Sequence, residues 1–166
     1  MERPTETDPS APTNIHQVLE RVCGLTKAET GAKLVISKNY DPSIPDMTGD
    51  MDQLIQAFLN IVRNAVRAAG PNGVVGINSR VLRQFTIGNI RHRLVASIEI
   101  SDNGPGIPPE LQERVFFPLV SGSEGMGLGL SISQTLINRH HGLIEFTSKP
   151  GETVFRVLLP LEQVDG

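Results

Sequence analysis

Two glycine-rich stretches decide how this chain folds: Asp102-Asn103-Gly104-Pro105-Gly106-Ile107 and Gly125-Met126-Gly127-Leu128-Gly129-Leu130. Closely spaced glycines let backbone N–H groups approach an anion, because no Cβ atom stands in the way. A helix that begins within the second stretch would direct its positive N-terminus towards the same anion. Together the two stretches predict a nucleotide pocket in which phosphate lies against the backbone.

A long helix is expected upstream of the first stretch. Asp50-Met51-Asp52-Gln53 has the pattern of a capping box, in which the first and last side chains bond to each other's backbone N–H groups. The helix should run to Ala69, since Gly70 can take a positive φ and Pro71 cannot continue the spiral. Apolar residues cover its inward faces, which indicates packing against a core.

Two asparagines, Asn60 and Asn64, lie four positions apart on this helix and therefore project from one side. Asparagine is a mediocre helix former, because its side chain competes with the backbone for hydrogen bonds. One explanation for the pair is surface placement or hydrogen bonding within the core. The other is a metal site, because an amide oxygen suits Mg²⁺, which completes its shell with water and phosphate.

The hydrophobic periodicity predicts alternating helices and strands along the rest of the chain. We expect a helix over 15–25, a strand over 33–37, a loop over 41–46, a hairpin of strands 74–81 and 94–101, a short helix over 109–116, a helix over 128–141 with Ile132, Leu136 and Ile137 inward, and closing strands over 143–148 and 154–159. Residues 117–124 and the glycines that follow are expected to form a mobile cover over the pocket.

Length and charge limit the class of protein. The chain has 166 residues, the size of one domain, and we expect a flexible lead or linker over 1–14, the domain over 15–162 and a tail over 163–166. A net charge of −3 provides no general attraction to nucleic acid or acidic lipid, so neither is expected as a partner. Cys23 is alone and no apolar run approaches the roughly 18 residues of a membrane span, so we expect a cytoplasmic protein.

Two common phosphate-binding motifs do not fit. In Gly125-Met126-Gly127-Leu128-Gly129 the third glycine comes one residue too early for a dinucleotide fingerprint, and no predicted strand precedes it. The chain also has no Gly-Lys-Ser or Gly-Lys-Thr element, which a Walker-type phosphate loop requires. The pocket therefore belongs to another class.

Four segments resemble, in family order, the N, G1, F and G2 boxes of sensor histidine kinases. These segments are Asn60-Ile61-Val62-Arg63-Asn64-Ala65, Asp102-Asn103-Gly104-Pro105-Gly106-Ile107, Phe116-Phe117-Pro118 and Gly125-Met126-Gly127-Leu128-Gly129-Leu130. The N box, together with the F box and the Leu-Val-Ser-Gly that follows it, is most similar to nitrogen-regulation kinases of the NtrB class. The resemblance implies a Bergerat (GHKL-type) fold, a two-layer α/β sandwich with a mixed sheet, about three backing helices and an ATP lid.

The resemblance also implies roles for individual residues around ATP. Asn64 would be the Mg²⁺ ligand, with Asn60 supporting the metal or phosphate and Arg67 directed towards the phosphates. Asp102 would accept a hydrogen bond from the adenine amino group, and Arg114 is the nearest basic residue that could contact phosphate during transfer. The other expected nucleotide contacts are Gly104, Gly106, Ile107, Gly125, Gly127, Leu128 and Gly129.

The family's chemistry is transfer of the γ-phosphoryl group of ATP to a histidine nitrogen. ATP-hydrolysing relatives such as gyrase and the MutL proteins carry a glutamate four residues before the metal asparagine, where it activates water. Here that position is Asn60, and an amide cannot act as a general base. The exchange favours a kinase over an ATPase.

The partners that the resemblance implies are other protein domains. The chain has no phospho-acceptor box of the His-Glu-x-x-x-Pro type, so the expected acceptor is a histidine-bearing dimerisation domain of the same kinase. A response regulator is expected downstream, and a PII-type signal protein is a candidate partner. The alternative function is a regulatory ATP-binding module whose lid signals to a protein partner without phosphoryl transfer.

Overall fold

The computed structural model describes residues 12–31, 34–118 and 129–161, which contain four helices and seven strands. The helices are α1 (Ile15–Thr30), α2 (Met51–Ala69), α3 (Pro109–Gln112) and α4 (Ser131–Arg139). The strands are β1 (Pro12–Thr13), β2 (Val35–Asn39), β3 (Met47–Thr48), β4 (Val74–Ile87), β5 (Ile90–Asp102), β6 (Leu143–Lys149) and β7 (Glu152–Pro160). None of the described helices is long and apolar enough to cross a membrane.

Five strands form one mixed sheet in the order β2-β4-β5-β7-β6. β2 runs parallel to β4, and the other three pairs are antiparallel. α2 packs between α1 and α4 and against two interior strands, β4 and the central strand β5. The predicted α/β sandwich with about three backing helices is therefore confirmed, and α3 adds a fourth helix of a single turn.

Helix α2 forms the centre of the core. It begins where the Asp50 carboxylate accepts a hydrogen bond from the Gln53 N–H at 3.1 Å, and it ends at Gly70, whose φ is 78°. Phe58 and Ile61 on this helix are completely buried. Full burial of a large apolar side chain contributes about 1.5–3 kcal/mol, so this face holds the helical layer against the sheet.

Strand β5 directs a carboxylate towards the helical layer. Ala96, Ile98 and Ile100 are completely buried on its inner face. Because successive side chains of a strand alternate between faces, Asp102 at the end of β5 points to the same side as these three. The predicted hairpin of β4 and β5 is confirmed, with longer strands than expected and a turn at Gly88-Asn89.

The helices that flank the second glycine stretch are shorter than predicted. The helix expected over 109–116 ends at Gln112, and the helix expected over 128–141 spans Ser131–Arg139. α4 ends because His141 adopts a φ of 63° and the Gly142 N–H bonds back to the Ile137 carbonyl at 3.0 Å. This local reversal of the backbone leaves no further helical turn before β6.

The inward face of α4 is rotated relative to the predicted face. Ser133, Leu136 and Ile137 are buried, so the predictions for the last two are confirmed. Ile132 is 52% exposed, so its predicted inward position is wrong. The Ser133 hydroxyl donates to the Ala57 carbonyl of α2 at 2.8 Å, and this contact turns the neighbouring Ile132 outward.

The domain includes residues that precede the expected boundary at residue 15. Pro12 and Thr13 pair with β3, and the Thr13 hydroxyl donates to the Gly49 carbonyl at 2.9 Å. Asn14 caps α1 by accepting a hydrogen bond from the His16 N–H at 2.9 Å. These three residues therefore belong with the domain, because β1 and the cap anchor them, and not with the predicted lead over 1–14.

The first strand of the large sheet is displaced from its predicted position. It was expected over 33–37, and in the structure it spans Val35–Asn39.

Candidate nucleotide site

A cavity of about 720 Å³ opens where the C-terminal half of α2, the turn over 102–107 and the β6–β7 hairpin meet. This volume is typical of small-molecule sites, which combine apolar walls with a few polar groups. Its described wall consists of Asn64, Arg67, Ala68, Asp102, Pro105, Gly106, Ile107, Pro108, Pro109, Leu111, Gln112, Ser148, Lys149, Pro150, Thr153 and Phe155.

Helix α2 contributes an amide and a guanidinium to one wall. Asn64 is 8% exposed and lies in the wall together with Arg67, which is one turn further along the same face. Asn60 lies one turn earlier, is half-buried and is not part of the described wall. Of the two predicted asparagines, the structure therefore brings Asn64 to the cavity, and the role of Asn60 stays a prediction.

Asp102 supplies a buried carboxylate. It is 5% exposed, and its Oδ1 accepts a hydrogen bond from the Gly104 N–H at 2.9 Å. Burial raises the pKa of this carboxyl above its ordinary value, and the Gly104 N–H opposes the rise. A carboxylate has about four lone-pair positions, so one backbone bond leaves acceptor capacity for a donor in the cavity, such as an exocyclic amine.

The glycines of the turn are required by close packing. A Cβ atom on Gly104 would lie 2.4 Å from the Ala68 carbonyl oxygen of α2. A Cβ atom on Gly106, which has a φ of 89°, would lie 2.8 Å from the Lys149 carbonyl oxygen. The turn is therefore pressed between α2 and the β6–β7 hairpin. Glycine is needed here for these backbone contacts, a reason that the sequence did not reveal.

The β6–β7 hairpin forms a third wall that sequence reasoning missed. Thr153 pairs directly with Asp102 across β5 and β7, and it is 3% exposed. The Ser148 hydroxyl lies 2.8 Å from the Ile107 N–H and 2.7 Å from the Thr153 hydroxyl. The turn signal at Pro150-Gly151 predicts the hairpin, but no local pattern indicates that it faces the cavity, because strand order decides this.

The remaining predicted residues lie in four different places. Ile107 lies in the cavity wall. Gly129 is described at the entry to α4, where its N–H donates to the Val115 carbonyl at 3.2 Å. Arg114 is exposed and is not part of the described wall, so its contact with phosphate stays a prediction. Gly125, Gly127 and Leu128, with most of the predicted lid, lie outside the described residues.

The polar groups of the cavity suit a magnesium ion that is coordinated mainly by the phosphates of a nucleotide and by water. Within the described residues there is no group of three or more His, Cys, Asp or Glu side chains that could hold a metal. Asn64 offers one neutral amide oxygen at the wall. Mg²⁺ is commonly bound through one or two protein oxygens together with phosphates and water, so this sparse set fits a phosphate-bound ion.

Comparison with known families agrees with this geometry. Residues 49–163 match the family described as histidine kinase-, DNA gyrase B- and HSP90-like ATPases. The chain belongs to this family, whose ATPase domain binds ATP, and is an ATP-binding catalytic domain of the sensor histidine kinase type. The resemblance to sensor histidine kinases is thereby confirmed.

The chain is also similar to curated sensory histidine kinases/phosphatases named NtrB. The chain is 49% identical over 152 residues to the sensory histidine kinase/phosphatase NtrB of Klebsiella oxytoca, covering 90% of this chain and 44% of that protein. It is 41% identical over 154 residues to NtrB of Rhodobacter capsulatus, and this match covers 90% of this chain and 43% of that protein. The chain therefore spans less than half the length of the curated relatives that it matches.

Solved structures show the same architecture. The mycobacterial sensor histidine kinase MprB superimposes with a TM-score of 0.73 at 25% identity, covering 93% of this chain and 99% of that chain. The catalytic domain of histidine kinase ThkA gives a TM-score of 0.74 at 25% identity, and the match covers 91% of this chain and 95% of that chain. ThkA has also been solved in complex with the response regulator protein TrrA, with a TM-score of 0.69 at 24% identity, covering 92% and 42%.

Proposed function

We propose that this domain transfers the γ-phosphoryl group of ATP to a histidine on a separate histidine-bearing dimerisation domain. In this reaction the bond between the γ-phosphorus and the β–γ bridging oxygen breaks, a P–N bond to the imidazole forms, and ADP leaves. The protein mainly positions the two reactants and stabilises charge. The observation that carries the proposal is one cavity lined by the buried carboxylate of Asp102 and by Asn64 and Arg67.

The described residues would divide the work along the cavity. Asp102 would accept a hydrogen bond from the adenine amino group, and Pro105 and Ile107 provide apolar wall beside it. Asn64 would hold Mg²⁺, which when bound would neutralise charge on the phosphates. Arg67 would supply a fixed positive charge towards the same groups.

Asn60 supports transfer over hydrolysis. Its amide cannot take a proton from water, so the position occupied by a general base in ATP-hydrolysing relatives carries none here. In a kinase the absence of such a base protects bound ATP from water until the acceptor histidine arrives. The proposal therefore predicts slow phosphate release by the domain alone.

Calorimetric titration of ATP, with and without Mg²⁺, tests the site. We expect metal-dependent binding to the parent chain and loss of the metal dependence in Asn64→Ala. Asp102→Ala removes a hydrogen bond to a charged group, which corresponds to about a ten- to hundred-fold loss of affinity. Gln56→Ala, which removes an exposed amide from the same helix, is the matched control. Unchanged ATP affinity in Asp102→Ala would contradict the assignment of the pocket.

A labelling experiment tests the reaction. The domain is mixed with γ-labelled ATP and a separately purified histidine domain of an NtrB-type kinase, and we expect label on the histidine domain and none on this chain. ATP binding without label on the added domain would favour the alternative, a regulatory module that signals through its lid. Sustained phosphate release without the acceptor, abolished by Asn64→Ala, would favour an ATPase.

Two further partners belong to the proposal. A response regulator downstream is supported by the complex of ThkA with the response regulator protein TrrA. A PII-type signal protein is the second partner that we propose, because the resemblance to the NtrB class implies it. Transfer of label from the phosphorylated histidine domain to a receiver domain would test the first. A change in labelling when a PII protein is added would test the second.

A further inference from the structure

Residues 103–107 lie beyond the end of β5 at Asp102, so their backbone polar groups find partners other than a strand ladder. Gly104 accepts a hydrogen bond at its carbonyl from the Gly151 N–H at 2.9 Å, and its own N–H donates to the Asp102 carboxylate. Because buried or half-buried backbone groups must find partners, these bonds decide where the turn lies.

Ile107 shows this most clearly. Its N–H donates to the Ser148 hydroxyl at 2.8 Å, and its carbonyl accepts a hydrogen bond from the Gln112 side-chain amide at 2.9 Å. Both bonds come from side chains, one on β6 and one on α3. The Ile107 peptide is therefore held between two elements, and its side chain contributes to the apolar wall of the cavity.

Ser148 has a second bond that orients its hydroxyl. Its oxygen lies 2.7 Å from the hydroxyl of Thr153 on the neighbouring strand. A serine hydroxyl can accept two hydrogen bonds and donate one, so it can serve Ile107 and Thr153 at once. Thr153 is buried and pairs with Asp102, so Ser148 joins the turn to the strand pair that carries the carboxylate.

We infer that Ser148 is a positioning residue for nucleotide binding: its hydroxyl fixes Ile107 and thereby the wall of the cavity beside Asp102. This inference rests on the proposed nucleotide site. Ser148 is itself part of the cavity wall, and the role that we assign to its hydroxyl is to hold Ile107 in place. Without the hydroxyl, the Ile107 N–H loses this acceptor, and Gln112 and Gly151 are left to hold the turn. The wall is then no longer preorganised for the base.

The test measures the turn and the ligand separately. In the ligand-free domain, hydrogen exchange of the Ile107 amide by NMR reports directly on its bond to Ser148. In a parallel titration, Ser148→Ala is expected to bind ATP about three- to tenfold more weakly, the factor that corresponds to one hydrogen bond, and to exchange the Ile107 amide faster. Ser148→Thr restores a hydroxyl and should recover both quantities.

Thr147→Ala is the matched control, since it removes an exposed hydroxyl from the adjacent position on the opposite face of β6. It should leave both quantities unchanged. ATP affinity of Ser148→Ala within twofold of the parent, or weaker binding with unchanged exchange of Ile107, would overturn the inference. If the parent itself failed to bind ATP, the proposed function would be contradicted. The exchange measurement would still test the role of Ser148 in that case: faster exchange of the Ile107 amide in Ser148→Ala would show that Ser148 positions the turn, and unchanged exchange would show that it does not.

Discussion

The imidazole of His140 accepts a hydrogen bond at Nε2 from the backbone N–H of Asp50, at 3.0 Å. Its Nδ1 therefore carries the proton and donates to the Leu136 carbonyl at 2.8 Å. In the predicted capping box, the Gln53 side chain would have accepted from this N–H. The first bond of the predicted capping box, from the Gln53 N–H to the Asp50 carboxylate, is confirmed. The second was predicted to run from the Asp50 N–H to the Gln53 side chain, and His140 is the acceptor instead. The end of α4 is thereby tied to the start of α2, the helix that carries Asn64.

The first prediction concerns this tie. His140→Ala removes the imidazole nitrogen that accepts a hydrogen bond from the backbone N–H of the buried Asp50. Loss of this acceptor should lower the free energy of unfolding by about 1–3 kcal/mol. His140→Gln can place an amide oxygen near the position of Nε2 and should recover most of the loss. Urea unfolding measures both variants, with the exposed His141→Asn as the control. Equal stability of the Ala variant and the parent would show that the tie contributes nothing.

The second prediction concerns pH and Asp102. Burial raises the folded-state pKa of this carboxyl above its unfolded value of 3.8, so the folded state binds the proton more tightly. Stability should therefore fall as pH rises from 3.8 through the raised pKa, and the charged form is penalised in full above it. Asp102→Asn keeps an acceptor for the Gly104 N–H and removes the charge.

We therefore expect Asp102→Asn, without ligand, to be more stable than the parent at neutral pH. The difference should shrink as the pH is lowered towards 3.8, because the parent carboxyl then becomes protonated. Chemical unfolding of both chains at several pH values measures this. A difference that is constant with pH would show that the charge on Asp102 is not its cause.

The third prediction compares the two asparagines of α2. Asn64 is buried in the cavity wall, whereas Asn60 is half-buried and outside the described wall. Asn64→Ala should therefore weaken Mg²⁺-dependent ATP binding more than Asn60→Ala does. Titrations of the two variants under identical conditions provide the comparison. Equal losses would place Asn60 at the ligand as well, as the family resemblance implies.

The fourth prediction separates two glycines by their surroundings. Gly104→Ala would place a Cβ atom 2.4 Å from the backbone of α2, and overpacking of this kind typically costs about 1–3 kcal/mol. Gly24 lies in the middle of α1, where an added methyl group would meet no atom within 4 Å. Gly24→Ala should therefore stabilise the domain, by about 0.5–1 kcal/mol. Thermal unfolding measures the opposite signs; a neutral Gly104→Ala would contradict the packing described for the turn.

The sequence alone determined the features that depend on neighbouring residues, such as where a helix begins and ends and which face of a strand a side chain occupies. The start of α2 at its Asp50 cap, its end at Gly70 and the alternation of β5 that places Asp102 on the inner face follow from nearby residues. Each depends on backbone geometry within one element, with a period of 3.6 or 2 residues. The family was indicated in a different way, by the resemblance of four ordered sequence boxes to those of sensor histidine kinases.

Contacts between distant segments were decided by the tertiary structure alone. Ser148 reaches Ile107 across 41 positions of sequence, and His140 reaches Asp50 across 90. Neither partner has a local pattern that names the other, since strand order and helix packing bring them together. The same cause turned Ile132 outward, because the buried bond from Ser133 to α2 sets the rotation of α4. Periodicity specifies which residues share a face, and only packing against the rest of the chain decides what that face meets.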